Sequence, residues 1–158
     1  MDTSTQVNFA SGVTTLLCWE MQCALQTEAG DTTALMAQMA TSVDHAITMH
    51  GGVEIAANGR AMGSWAMFTQ PAAAVAAAFD VQCAFAHSSV GEGGRLRVRL
   101  ALHTGSVGVG ATSLPAGPTL IRGAGLLSIV HAEQTLLSDA TRQAPSAGRC
   151  NPCRRGTA

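Results

Sequence analysis

The sequence predicts a mixed α+β fold, an antiparallel-rich sheet with helices on one face, and three observations carry that expectation. RLRVRLALHTG (95–105) alternates Arg95, Arg97 and Arg99 with Leu96, Val98 and Leu100, the period-two pattern of a half-exposed strand. Asn58-Gly59 stands between two short strand-like pieces, a strong hairpin signal. Alanine-rich segments with helical character separate these strands.

In chain order, residues 1–11 are polar and read as a flexible arm. VTTLLCW (13–19) is β-branched and apolar, long enough for one buried strand. After a break at TEAGD, Asp31 or Thr32 is placed to cap a helix in which Leu35, Met39, Val43 and Ala46 or Ile47 share a face; Gly51-Gly52 ends it. The hairpin over 53–68 follows. Pro71 then opens a helix through Ala86, and the turn-rich SSVGEGG stops it. Beyond the 95–105 strand, SVGVGATSLPAGP reads as a loop or a ragged hairpin. TLIRGAGLLSIVHAE (119–133) reads as a helix weakened by Gly123 and Gly125, and TLLS (135–138) as a last strand. Residues 143–158 have no periodicity and are expected to be a disordered tail containing Arg and Cys.

The composition narrows the function classes. At 158 residues and 47% hydrophobic content the chain supports one core. A net charge of -1 gives no global field for nucleic acid or an anionic membrane, so neither is an expected partner. There is no Lys and no Tyr, and abundant Ala with Arg as the basic residue points to a GC-rich bacterial genome. The longest alanine-rich stretch, 71–86, is interrupted by Asp80 and Gln82, and the N-terminus lacks a basic segment before an apolar one, so a cytoplasmic address is expected. Five cysteines, an odd number, fit reduced thiols.

Three stretches together resemble the class III adenylate/guanylate (nucleotidyl) cyclase catalytic domain: AITMHGG closing the long helix, PAAAVAAAFDVQCAFA with RLRVRLALHTG after it, and GPTLIRGAGLLSIVHAEQTLLSDATR. Within that family the sequence is similar to the cyclase-like domains of bacterial ATPase/helix-turn-helix transcription regulators. The match runs from His50 to Arg142; before His50 it rests on VTTLL and the helix after it. It implies a ferredoxin-like (βαββαβ) cyclase-homology domain over residues 12–142, and a homodimer or a heterodimer with another cyclase-like chain.

Cyclising a nucleoside triphosphate is an in-line attack of the 3′-hydroxyl on the α-phosphate, a reaction served by two metal ions held by carboxylates. The resemblance aligns the family's FTDIEGST-like phrase with LCWEMQCA and so puts the first metal Asp on Trp19. The second, in a Gly-Asp phrase of the hairpin, falls on Met62. An indole offers only a donor and a thioether is a soft ligand, so neither replaces a carboxylate for Mg or Mn. By the same alignment the ribose-orienting Asn falls on Ile121, the transition-state Arg on Gly125, and a base-reading residue near Leu114. The phosphate-cradling turn is replaced by Gln22-Cys23-Ala24. Glu20 is a weak metal candidate, one residue beyond the Asp position and so on the opposite strand face. Arg122 is a weak phosphate candidate.

The remaining motifs read blandly. CNPC (150–153) has no second ligand pair for a tetrahedral zinc. Gly105–Gly110 has neither the spacing nor the Lys of a phosphate loop. Met36, Met39, Met49, Trp19 and Trp65 read as packing, and the five histidines as structural or solvent-facing. The resulting expectation is a catalytically degenerate cyclase-like domain, a dimerising or regulatory module with doubtful nucleotide binding and no cofactor. The alternatives are an adenylate cyclase (ATP to cyclic AMP and pyrophosphate), weakly active or active only with a partner chain and then using Mg or Mn, and a decaying gene remnant.

Overall fold

The computed structural model of the chain describes residues 12–23, 29–55, 64–88, 96–109 and 115–144. The elements are β1 (Gly12–Cys23), α1 (Ala29–Met49), β2 (Val53–Ile55), β3 (Ser64–Phe68), α2 (Pro71–Ala86), β4 (Leu96–Val109), β5 (Pro115–Ala116), α3 (Pro118–Ile129), β6 (Thr135–Leu137) and α4 (Asp139–Gln143). Strands β2-β3-β1-β4 form an antiparallel sheet in that order, the arrangement of a ferredoxin-like βαββαβ unit. Beyond β4, β6 joins in parallel at Leu100–Leu102 and β5 antiparallel at Gly108–Val109.

The β1–β4 ladder runs without a bulge from Gly12 opposite Val107 to Cys23 opposite Leu96. Because successive side chains alternate, this register sorts the two strands into two faces. Leu17, Trp19, Leu96, Val98, Leu100 and Leu102 pack under α1 and α2. Leu16, Cys18 and Ala101 point the other way, with Trp65 and Met67, under Leu127 of α3. The expectation of helices on one face therefore needs correcting: α1 and α2 cover one face and α3 the other. Strands apolar on both faces cannot leave either open to water, and the middle of β1 and β4 is such a case.

The predicted apolar stripe of α1 is the buried one, with Met39, Val43, Ala46 and Ile47 in the core; Met49, expected to pack, is exposed. The helix ends in a Schellman turn, Gly52 N–H donating to the Ile47 carbonyl at 2.9 Å and Gly51 N–H to that of Thr48 at 3.0 Å. Gly51 adopts φ +72°, and a Cβ on Gly52 would lie 2.4 Å from the Phe68 ring, so both glycines are required. Helix α2 has the predicted bounds. Strand β4 continues through the glycine-rich stretch to Val109, where β5 closes the ragged hairpin. Helix α3 stops at Ile129 rather than Glu133, since Val130 is extended and Glu133 stands at φ 67°. The short α4 was not anticipated, although Ser138 caps it by accepting from Thr141 N–H at 3.2 Å. The hairpin turn at 58–59, the arm 1–11 and the tail beyond Ala144 lie outside the described residues.

The two glycines of α3 have opposite roles. Gly123 is buried, and a Cβ there would stand 2.9 Å from Cys18 Sγ and 3.0 Å from Trp65, so its absence lets the helix settle on β1 and β3. Gly125 has nothing within 4 Å. Gly125→Ala is expected to stabilise by about 0.5–1 kcal/mol through helix propensity. Gly123→Ala is expected to destabilise by roughly 1–2 kcal/mol through overpacking, despite the same propensity gain. Thermal melts of the two variants, moving Tm in opposite directions, check both.

Candidate functional site

Trp19 is the residue on which the question of metal binding turns. It sits late in β1, opposite Leu100 of β4 and Ser64 of β3, and is 3% exposed. Its indole belongs to the cluster formed with Met39 and Val43 of α1 and with Val98 and Leu100. No carboxylate replaces it on that face within β1, since Leu17 and Met21 flank it at i−2 and i+2.

Glu20 faces the opposite side of the sheet, directly across from Arg99. Its Oε2 accepts from Arg99 Nη2 at 2.6 Å and from Nε at 3.2 Å, while Arg99 Nη1 also donates to the Val130 carbonyl at 3.2 Å. A guanidinium already neutralises this carboxylate, and the backbone after α3 holds the guanidinium in place. The described residues at the position the resemblance assigns to the first metal therefore do not fit a hard cation: an indole stands on the core face, and the adjacent carboxylate is spent on an arginine across the sheet. Gln22 and Cys23 continue β1 as paired strand residues opposite Arg97 and Leu96, where the resemblance places a phosphate-cradling turn. Met62, Leu114 and Ala24 lie outside the described residues. Among those described, no group of three or more His, Cys, Asp or Glu is arranged to hold a metal ion.

Helix α3 presents two stripes. Thr119, Gly123 and Leu127, spaced four apart, are buried against the sheet. Ile121, Gly125 and Ile129, two residues out of phase, face solvent, with Ile121 70% and Ile129 65% exposed. The structure thus brings the positions that the resemblance assigns to the ribose Asn and the transition-state Arg onto one open stripe, one turn apart. It does not bring them near Trp19, which is under the other face. Arg122, exposed on the same helix, is close enough to His103 for its charge to help hold that imidazole below the ordinary histidine range, after burial itself.

His103 belongs to a polar cluster that the sequence reading missed. It is 5% exposed, with Nδ1 2.9 Å from Ser138 Oγ. Ser138, Thr141, Thr104 and Thr15 continue the cluster into the sheet. A signal was present: Thr15 and Thr104 have the strand parity of the core residues Leu17 and Leu102, and a hydroxyl on the apolar parity of a buried strand needs a partner. The groove between α1 and α2, about 760 Å³ and bordered by Thr41, His45, Met49, Asp80 and Cys83, contains none of the candidate residues. No helix among the described residues is long and apolar enough to cross a membrane.

No family model matches the chain. An uncharacterized protein of Mycobacterium tuberculosis and one of Mycobacterium bovis are each 35% identical to it over 111 residues, 70% of this chain and 36% of theirs. The chain spans about a third of the length of these curated relatives. Among solved structures, the catalytic core of a rhodopsin-guanylyl cyclase with converted specificity, in complex with ATPαS, superposes with a TM-score of 0.71 at 17% identity, covering 84% of this chain and 80% of that one. An adenylate/guanylate cyclase/hydrolase from Silicibacter pomeroyi gives 0.66 at 22%, covering 85% and 79%. An adenylate cyclase from Trypanosoma brucei in its monomeric state gives 0.68 at 17%, covering 92% and 81%. At these identities the likeness is one of fold.

The Glu20–Arg99 pair is half-buried, and solvent screening limits its worth. A double-mutant cycle with Glu20→Gln and Arg99→Met is expected to return a coupling of about 0.5–1 kcal/mol that shrinks in 1 M salt. Burial pushes the Cys18 thiol well above its ordinary range, so alkylation at pH 8 is expected to spare Cys18 in the native protein and reach it on unfolding.

Proposed function

We propose, from the adenylate/guanylate cyclase catalytic-domain fold of this chain, that it is a catalytically degenerate class III cyclase-like domain acting as a dimerising or regulatory module. The observation that carries this reading is Trp19, packed into the core at the position the resemblance assigns to the first metal carboxylate. Two facing carboxylates repel each other and need cations to be stable together. A core-packed indole needs none and adds apolar burial instead. In this reading the former metal cleft has become part of the hydrophobic core.

The α3 stripe supports the dimerising half of the proposal. Ile121 and Ile129 expose apolar surface one helical turn to either side of Gly125, where no side chain obstructs a close approach. In a dimer of this fold such a stripe would bury apolar area at about 25 cal/mol per Å². The solved structures of similar fold include both a monomeric and a non-canonical dimeric guanylyl cyclase domain of one fungal fusion protein.

Incubation of the purified chain with ATP or GTP and Mn²⁺ is expected to yield no cyclic nucleotide above a mock preparation, and formation at a clear multiple of that background would overturn the proposal. Trp19→Asp is expected to cost roughly 3–5 kcal/mol, because it removes a buried aromatic and inserts an unpaired carboxylate. An unchanged or raised Tm would mean that Trp19 is not a core residue. Ile121→Asp is expected to weaken self-association in sedimentation velocity without lowering Tm, since the position is 70% exposed.

A further inference from the structure

The cluster ending on His103 is a single file of hydroxyls. Thr15 Oγ1 lies 2.9 Å from Thr104 Oγ1, Thr104 Oγ1 donates to Thr141 Oγ1 at 3.0 Å, Thr141 Oγ1 lies 3.1 Å from Ser138 Oγ, and Ser138 Oγ lies 2.9 Å from His103 Nδ1. Ser138 Oγ also accepts from Thr141 N–H at 3.2 Å. The file crosses the sheet edge. Thr15 and Thr104 share the parity of the α1/α2 face, His103 that of the α3 face, and Ser138 and Thr141 of α4 link them around β4.

Counting protons gives the file a direction. Each hydroxyl has one hydrogen and two lone pairs. The Thr104 hydrogen is committed to Thr141, so the contact with Thr15 requires Thr15 to donate to Thr104. Thr141 and Ser138 can each donate to the other, and the arrangement in which Thr141 donates gives every hydroxyl hydrogen an acceptor within the file, Ser138 then donating onward to Nδ1. In that arrangement His103 is the neutral tautomer with its proton on Nε2. A proton on Nδ1 would point a third donor at Ser138 Oγ, which already accepts the Thr141 amide and hydroxyl. The junction that holds the N-terminus of α4 would break.

We propose that this file is an acid-sensitive latch: neutral His103 clamps α4 onto the edge of β4, and its protonation releases it. Ser138 N–H donates to the Leu102 carbonyl at 2.9 Å and Arg142 N–H to the Ser138 carbonyl at 3.0 Å, so α4 is joined to β4 through the residue that the imidazole holds, whereas β6 has its own ladder to β4. Among the elements packed on β4, α3 brings Arg122 toward the ring, and β1 sets Leu16 opposite it. The charges of α4, Asp139 and Arg142, are paired with each other at 2.7 Å. Those nearest along β4 and β1, Arg99 and Glu20, are likewise paired, and β6 has none. On the other face, Asp80 of α2 is paired with His50. Each of these described carboxylates, Glu20, Asp80 and Asp139, already has a partner other than His103.

Burial and Arg122 hold the folded-state value below that of the unfolded chain, near 6.5 for histidine. The unfolded state therefore binds more protons in this window, and the latch is fully effective above about pH 6.5 and weakens as pH falls below it.

Two measurements on the full chain test this. Imidazole ¹⁵N–¹H correlation spectra at pH 7.5 are expected to show His103 protonated on Nε2 and bare on Nδ1. Amide exchange at Ser138, Thr141 and Arg142, corrected for intrinsic rates, is expected to accelerate by up to about tenfold per pH unit below pH 6.5. In His103→Asn, whose amide oxygen accepts from Ser138 without titrating, exchange is expected to stay flat over that range. An Nδ1–H tautomer, acid-insensitive exchange at Thr141 in the native chain, or equal acceleration in His103→Asn overturns the proposal, and the tautomer is read without any variant.

Discussion

The unbroken antiparallel ladder between β1 and β4 is the constraint on which the rest of the structure depends. Its constant register, Gly12 with Val107 through Cys23 with Leu96, decides for every residue of the two central strands which layer it enters. Leu17 with Leu102 and Trp19 with Leu100 go to the α1/α2 core. Cys18 with Ala101 and Glu20 with Arg99 go to the side of α3. A slip of one residue would exchange the two sets, placing a salt bridge in the main core and the Trp19 indole beneath a small-residue helix.

That sorting also governs what the candidate site can be. Trp19 and Glu20 are neighbours in the chain, yet the sheet separates their side chains. A carboxylate one position too late therefore cannot be recruited to the core face without a bulge, and the ladder has none. The α3 layer follows from the same geometry. Gly123 lets the helix approach Cys18 and Trp65, and that approach fixes the rotation that turns Ile121, Gly125 and Ile129 outward. Fold and surface are linked here through a single missing methyl group.

Much of the architecture was legible because local signals and tertiary demand agree. Pro71 and the alanines after it give α2 the bounds read from the sequence, and the alternation of 96–100 is seen as buried Leu96, Val98 and Leu100 with Arg97 exposed. The errors came where a distant partner overrides local preference. Strand β4 runs through Gly105 and Gly108 because β1 and β5 supply hydrogen bonds on either side. Gly123 reads as a helix weakness until the Trp65 ring beneath it is known. The hydroxyl file escaped because Thr15, Thr104, Ser138 and Thr141 are distant in sequence, and no local pattern announces that they meet.

By itself the sequence determined the class and order of the elements apart from the short α4, through periodicity, caps and turn residues that act within a few positions of one another. It also determined which residue types stand at the positions where the resemblance expects metal, ribose and phosphate contacts. The tertiary structure alone decided that helices cover both faces, that Glu20 is neutralised by Arg99, and that His103 ends a chain of hydroxyls. Each of these depends on strand register and helix approach, which join residues tens of positions apart and are set by packing and hydrogen-bond satisfaction rather than by local propensity.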